Sequence, residues 1–239
     1  MYSKTFDLII QNRYICQKEI KTGGFGVVYQ GFDLVDKKMV AIKVEKTKKF
    51  HSTSSLTNEA KIINKIIDLK GVPSLFWSGK DPQTQDRALV MTYLGKDLQS
   101  HLTKLKSFSL KTVLMIATQL LELLQLIHDR GVVHRDIKPD NILTAFNEEG
   151  CIKGLSPEKS INQLYLCDFG ISKVFRESTS HIPYKINKPF VGTIRFASEA
   201  AHKGFEVCRK DDLESLGYTL VFLIKGFLPW SQTSLKSTN

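Results

Sequence analysis

The chain has 239 residues, with 34 Lys and Arg against 24 Asp and Glu, which gives a formal net charge of +10. Its 42% hydrophobic and 10% aromatic residues are typical of a globular protein and exclude a disordered tail, a fibrous repeat or a disulfide-rich miniprotein. The four cysteines lack paired spacing, which favours reduced thiols and an intracellular protein without a cysteine metal site. The lysines are scattered and no aromatics lie among them, so direct nucleic-acid binding is not expected.

Short β-branched runs dominate the chain before Gly95. They predict strands over 14–20, 27–32, 39–45 and 88–91. One helix is predicted between them, because apolar residues recur at i, i+4, i+7 and i+11 in Leu56, Ala60, Ile63 and Ile67. Glu59 lies on the edge of this stripe, where a buried acid requires a cation.

Helical patterns dominate after Gly95. A helix is predicted over 110–129, and its apolar residues are Val113, Leu114, Ala117, Leu120, Leu121, Leu124 and Ile127. A second helix is predicted over 212–226. Charged and amide residues interrupt both well before the ~20 apolar residues of a membrane span, so none is expected. A strand-rich segment before a helical one predicts an α+β fold of two lobes, with a small-molecule site near residues 91–95.

Three glycines, Gly23, Gly24 and Gly26, lie between two predicted strands. Without Cβ atoms, such a turn can bring backbone N–H groups close to a phosphate. An ordinary structural hairpin is the alternative, because glycine-rich hairpins are common. A Walker loop is excluded, because no Gly-Lys-Ser/Thr follows and the next element is a strand.

Lys43 lies on the third predicted strand, on the same face as the small Ala41. A lysine on a strand is usually a solvated surface residue. Held by Glu59, however, Lys43 could serve as an oriented clamp for phosphate. The pairing of Lys43 with Glu59 is therefore a geometric prediction.

The densest chemistry lies at residues 134–141, with the sequence HRDIKPDN, directly after the predicted core helix. Two acids, basic side chains and an amide in one short loop indicate an active site. Asp168 follows an apolar run and precedes Phe169 and Gly170. Its carboxylate is a hard oxygen ligand of the kind that Mg²⁺ prefers.

These motifs, in this order, resemble those of the eukaryotic protein kinases. Lys138, two residues after Asp136, resembles the Ser/Thr-specific members of that family. The segments 181–184, 192–198 and 209–218 are similar to the casein kinase 1 family, as is Ala-Ser-Glu at 197–199 without the usual proline. The resemblance implies one kinase domain over 1–239, with an N-lobe at 14–94 and a partial C-lobe at 95–239.

The resemblance also implies residue roles in the transfer of the γ-phosphoryl group from Mg-ATP to protein hydroxyls. Asp136 would orient the hydroxyl and accept its proton, and Lys138 would neutralise the transferring group. Asn141 and Asp168 would hold Mg²⁺. Lys43, held by Glu59, would contact the α- and β-phosphates under the cover of the three glycines.

The adenine slot and the substrate site follow from the same resemblance. The slot would be lined by Ile20, Val28, Ala41, Leu143 and Cys167, with Met91 as gatekeeper and 92–94, ending at Leu94, as the hinge. Asp212 would brace the loop backbone at 134–135 from below. Arg195 matches an anion-binding position of the casein kinase 1 family, which implies acidic or pre-phosphorylated protein substrates. We expect a monomer in the cytoplasm or nucleus.

Three departures from the family pattern bear on activity. Lys21 replaces the first glycine of the phosphate loop, which predicts weaker nucleotide binding, and 144–163 reads as a polar surface insertion. The chain stops at Asn239, so we expect an incomplete C-lobe that exposes Tyr218, Val221, Phe222 and Leu223. A catalytically weak or inactive scaffold with a kinase fold is therefore the alternative function.

Overall fold

The computed structural model describes residues 8–23, 26–45, 54–146, 161–177 and 180–231. The chain divides into two compact units. The first unit comprises residues 1–68 and 73–94, and the second comprises residues 69–72 and 95–239. A sheet dominates the first unit and helices dominate the second, so the predicted α+β fold is confirmed.

The first unit is built on one antiparallel sheet. Its strands are β1 (Ile9–Ile10), β2 (Tyr14–Gly23), β3 (Gly26–Asp33), β4 (Lys38–Glu45), β5 (Leu75–Lys80) and β6 (Arg87–Thr92), in the spatial order β1-β2-β3-β4-β6-β5. The four predicted strands are confirmed, each slightly longer than its β-branched run. The sequence prediction missed β5, a strand whose residues alternate between half-buried and exposed.

Helix α1 (Ser55–Ile66) is also part of the first unit, and the predicted buried stripe on it is partly wrong. The buried residues are Leu56, Glu59, Ile62, Ile63 and Ile66. Ala60 is only half-buried, and Ile67 is exposed because the helix ends one residue before it. The stripe is therefore rotated toward Glu59, which lies fully inside it.

The second unit contains α2 (Leu98–Leu105), α3 (Leu110–Asp129), α4 (Glu199–His202) and α5 (Arg209–Lys225). Three short antiparallel pairs join β7 (Val132–Val133) with β10 (Lys173–Val174), β8 (Ile142–Thr144) with β9 (Leu164–Leu166), and β11 (Arg176–Glu177) with β12 (Ser180–His181). The bounds predicted for α3 are confirmed. Helix α5 begins before the predicted residue 212, because the Cys208 N–H donates to Asp211 Oδ2 at 2.7 Å and caps an earlier start.

Helix α3 packs on α5, and its buried face agrees with the predicted one only in part: Val113, Leu120, Leu124 and Ile127 are buried as predicted. Its buried residues are Thr112, Val113, Ile116, Leu120, Leu123, Leu124, Ile127 and His128. Leu114 and Leu121 were expected in the core but are 58% and 49% exposed. By length and composition α3 could cross a membrane, but a core helix passes the same test, and this one buries a face in the second unit.

The expected exposed patch on α5 is only partly present. Val221 is 40% exposed and Tyr218 is half-buried. Phe222 and Leu223 are buried instead, and the Phe222 ring meets Phe196 edge-on at 5.3 Å. Most of the predicted insertion, residues 147–160, lies outside the described residues, as does Cys151. The other cysteines are free thiols, as expected: Cys16, Cys167 and Cys208.

A buried carboxylate closes the turn between β3 and β4. Asp33 is fully buried, and Arg13 donates to both of its oxygens at 2.7 and 2.8 Å. The backbone N–H groups of Val35 and Asp36 also donate to it, at 2.9 and 3.2 Å. The hydrogen bonds from Arg13 are the main reason that the pKa of Asp33 is held far below its usual value.

We expect the stability gained from Asp33 to depend on pH. A depressed carboxylate pKa stabilises the folded protein above the unfolded-state pKa of about 4, and this contribution falls as the pH drops below that value. Asp33→Asn should therefore lower the melting temperature at pH 7 by more than at pH 3, as measured by circular dichroism. An equal loss at both pH values would contradict this assignment.

Candidate active site

Lys43 and Glu59 form a buried ion pair within the first unit. Lys43 Nζ lies 2.7 Å from Glu59 Oε2, and the two side chains are only 9% and 2% exposed. Strand β4 supplies the lysine, and α1 supplies the acid from its buried face. The predicted pairing is confirmed. Such a pair is rigid, because separating it would leave a buried charge without its partner.

The glycine-rich segment forms the hairpin between β2 and β3. Gly23 and Gly26 are register partners at its end, and Gly24 lies outside the described residues. Gly26 has a φ of 122°, and a Cβ there would collide with the Val44 carbonyl oxygen. Glycine is therefore required at position 26 by both backbone conformation and close packing.

The residues predicted for the adenine slot divide between the two units. In the first unit, Ala41 lies opposite Met91 in the β4–β6 register, and Val28 lies opposite Lys43 in the β3–β4 register. Ile20 on β2 is 52% exposed, and Leu94 is buried. In the second unit, Leu143 lies on β8 and Cys167 follows β9, and both are half-buried.

Asp136, Lys138 and Thr193 form a closed triangle of hydrogen bonds in the second unit. Lys138 Nζ donates to Asp136 Oδ2 and to Thr193 Oγ1, each at 2.7 Å. Thr193 Oγ1 in turn donates to Asp136 Oδ1 at 2.7 Å. Each carboxylate oxygen of Asp136 thus has a fixed partner, and the side chain is 7% exposed. The arrangement holds a carboxylate and an ammonium group side by side.

Asn141 connects this triangle to the segment that carries Asp168. Its Nδ2 donates to the Asp136 carbonyl oxygen at 2.9 Å and to Asp136 Oδ2 at 3.1 Å. The Cys167 N–H donates to the Asn141 carbonyl oxygen at 2.9 Å, where β8 begins and β9 ends. The pairing of β8 with β9 therefore places the backbones of Asn141 and Asp168 at the same end of this strand pair. Asp168 has a φ of 66°, an uncommon value that often marks a functional segment.

Asp212 on α5 braces the loop from within the core. It is 1% exposed and accepts the N–H groups of His134 and Arg135, both at 2.8 Å. His128 Nε2 on α3 lies 2.9 Å from the same carboxylate. The predicted scaffolding contact of Asp212 is confirmed, and it ties two helices to the loop. Arg135 has a φ of 70°, so this part of the loop holds an unusual backbone conformation.

The sequence prediction missed two residues that complete the site, His134 and Thr193. His134 Nδ1 accepts the Asp136 N–H at 3.2 Å, so the proton resides on Nε2, which donates to the Cys167 carbonyl oxygen at 3.1 Å. Thr193 follows Gly192, where a Cβ would lie 2.7 Å from the Arg135 carbonyl oxygen. A glycine at the point of closest approach is the signal that could have placed Thr193 beside the loop.

Two arginines lie near the triangle in different environments: Arg135 is largely buried near acidic groups, whereas Arg195 is exposed. The Arg135 guanidinium is largely buried, and burial lowers its pKa, while nearby Glu206 and Asp212 act in the opposite direction. Lys173 Nζ lies 2.7 Å from Glu206 Oε1. Arg195, in contrast, is exposed, with its guanidinium 5.6 Å from the centre of the Phe222 ring. Its backbone carbonyl accepts Trp230 Nε1–H at 2.9 Å.

The donor set suits a magnesium ion better than a transition metal. No group of three or more His, Cys, Asp or Glu side chains that could hold a metal occurs among the described residues. One carboxylate and one amide oxygen, from Asp168 and Asn141, fit Mg²⁺, which takes few protein ligands and completes its shell with water and phosphate.

Comparison with known protein families shows that the chain matches the family model described as protein kinase domain over residues 14–239. The matched range begins with the first residue of β2. The matched range contains the ion pair, the glycine hairpin, the triangle and the Asp168 segment.

Replacing Asp212 with asparagine should destabilise the protein. The amide would keep one acceptor oxygen but would turn an NH₂ group toward buried donors. We expect the free energy of unfolding in urea to fall by about 2 to 4 kcal/mol. Asp129→Asn at the exposed end of α3 is the matched control and should change it little. Equal, small effects of both substitutions would contradict the role of Asp212.

Proposed function

Because the chain belongs to the protein kinase domain family, we propose that it is a serine/threonine kinase of the casein kinase 1 type. Protein kinases in general transfer the γ-phosphoryl group of ATP, with Mg²⁺, to hydroxyl groups of proteins. The observation that carries the proposal is the triangle of Asp136, Lys138 and Thr193. It supplies a fixed carboxylate next to a fixed cation, which is what transfer to a hydroxyl requires.

In this proposal Asp136 orients the substrate hydroxyl and accepts its proton. The bonds from Thr193 and Asn141 support this role, because they restrict the carboxylate to one orientation. Lys138, 2.7 Å from the carboxylate, neutralises charge on the transferring phosphoryl group. A lysine two residues after the catalytic aspartate also supports serine and threonine as the acceptors.

The first unit would bind the phosphates of ATP. The ion pair with Glu59 holds the Lys43 ammonium for the α- and β-phosphates, and the hairpin with Gly23, Gly24 and Gly26 covers them. In this unit the residues proposed to contact adenine are Ile20, Val28, Ala41, Met91 and Leu94. Lys21 replaces the first glycine of the family's phosphate loop. Gly26, the position that needs a positive φ, is still a glycine.

Asn141 and Asp168 are the proposed ligands of Mg²⁺. When bound, the ion would neutralise phosphate charge and fix the phosphate geometry. The hydrogen bond from the Cys167 N–H to the Asn141 carbonyl supports the pairing, because it holds the two segments together without any ligand.

Arg195 is proposed to bind an acidic or phosphorylated residue of the substrate. Its side chain is exposed, and Thr193 of the triangle lies two residues before it. The net charge of +10 favours the approach of acidic proteins. We also propose that the protein is a monomer and that it acts in the cytoplasm or the nucleus.

A transfer assay with γ-labelled ATP, Mg²⁺ and casein tests the catalytic proposal. Asp136→Asn and Lys43→Met should each lower kcat by about a hundredfold to ten-thousandfold, because each removes a group that acts on the reacting phosphate or hydroxyl. Asp140→Asn, an acid in the same loop to which we assign no role, is the control. If the unchanged chain binds ATP but transfers nothing, the scaffold alternative is correct instead.

Substrate preference is tested with a matched pair of peptides, one carrying a phosphoserine upstream of the target serine and one carrying alanine there. Arg195→Ala should raise KM for the phosphorylated peptide by about threefold to tenfold, because an exposed charge-assisted hydrogen bond is lost. KM for the alanine peptide should hardly change. An equal rise for both peptides would remove the assigned role of Arg195.

A further inference from the structure

Strand β4 and helix α1 share a second polar contact besides the ion pair. The Glu45 carboxylate accepts the hydroxyl groups of Ser54 and Ser55, the latter at 3.2 Å between Ser55 Oγ and Glu45 Oε1. Glu45 is the last residue of β4, and Ser55 is the first residue of α1. The contact therefore joins the end of β4 directly to the start of α1.

This contact lies at the positive end of the helix. Ser54 is the N-cap residue, and its Oγ accepts the Thr57 N–H at 3.4 Å while its hydroxyl donates to Glu45. The first turn of α1 contains no acidic residue of its own. A carboxylate near the free N–H groups of a helix is stabilising, so the strand supplies the charge that the helix lacks.

The contact at Ser55 is linked to Glu59 by one backbone hydrogen bond of the helix. In an α-helix the N–H of each residue bonds to the carbonyl four residues earlier, which pairs Glu59 with Ser55. If the first turn of α1 frays, Glu59 loses that backbone bond. Lys43, the partner of Glu59, lies two residues before Glu45 on β4, so both contacts join the same strand to the same helix.

We propose that Glu45, through Ser54 and Ser55, is a positioning residue that holds the first turn of α1 on β4 and keeps Glu59 on Lys43. The proposal rests on the proposed function for its effect on catalysis, because the ion pair orients the lysine for ATP. Its effect on the helix does not depend on any activity. A short helix of this kind is marginal by itself, so its first turn depends on such contacts.

A double-mutant cycle on the transfer reaction tests the catalytic part. Glu45→Gln should raise KM for ATP by about threefold to tenfold, the effect of weakening hydrogen bonds to a charged group. In the background of Glu59→Gln, the same change should have almost no further effect, because position 59 then carries no carboxylate to be held against Lys43. Effects that multiply in full would overturn the proposal.

Two further variants separate positioning from general damage. Ser54→Ala should reproduce the effect of Glu45→Gln, and Ser54→Thr, which keeps a hydroxyl and can still cap, should restore ordinary KM for ATP. Asp36→Asn is the matched control, because this acid lies on the turn before the opposite end of β4 and pairs with Arg13 and Lys38. Failure of Ser54→Thr to restore KM would count against the hydroxyl contact.

Hydrogen–deuterium exchange decides the structural part without any transfer assay. In Glu45→Gln the amides in the first turns of α1, including that of Glu59, should exchange at least several times faster than in the unchanged protein. Asp36→Asn should leave them protected. Unchanged protection in Glu45→Gln would overturn the proposal even in an active kinase, whereas faster exchange in an inactive chain would support it and reject only the proposed function.

Discussion

The buried carboxylate of Asp212 is the group on which the arrangement of the second unit depends. A loop that carries HRDIKPDN cannot be stabilised by a hydrophobic core of its own, because nearly all its side chains are polar. Asp212 stabilises the loop by accepting hydrogen bonds from two successive backbone N–H groups, those of His134 and Arg135. Its carboxylate also forms a hydrogen bond with His128 Nε2. Helices α3 and α5 thereby fix the loop backbone at a position where φ of Arg135 is positive.

The side chains of the loop are in turn held in place mainly by hydrogen bonds. His134 connects the loop to the Cys167 carbonyl, and its ring meets Phe169 edge-on at 4.9 Å. Asp136 is then held from three sides, by Lys138, Asn141 and Thr193. A carboxylate with that many fixed donors has little rotamer freedom left to lose, so it is preorganised for the hydroxyl that we propose it binds.

The first unit uses a different device, a charged pair inside an apolar sandwich of sheet and helix. Lys43 and Glu59 are nearly inaccessible to water, and each charge is stabilised by the opposite charge of the other. Such a pair specifies the rotation of α1 on the sheet. It explains why Glu59, together with Ile62 and Ile66, occupies the buried face, whereas Ala60 is only half-buried.

Local pattern alone was enough for the elements whose signal is contained in a few consecutive residues. The strands from Tyr14 to Glu45 and the bounds of α3 follow from β-branched runs and apolar periodicity, and the motif residues marked the loop chemistry. Resemblance added the roles that periodicity could not supply. The pairing of Lys43 with Glu59 was also predictable, because a buried acid beside a buried lysine leaves few other ways to satisfy both charges.

The buried face of each helix and the residues that complete the site depend on contacts between distant segments of the chain. Leu114 and Leu121 fit the apolar pattern of α3, yet they are exposed, because a helix that is apolar on most sides does not reveal which side meets its neighbour. Thr193 is distant in sequence from Asp136, and although the preceding Gly192 indicates a close approach, only the folded chain shows which segment it approaches. Sequence determined the types of chemical group present, whereas long-range packing determined which of them meet, because hydrogen bonds between distant segments depend on positions that only the folded chain sets.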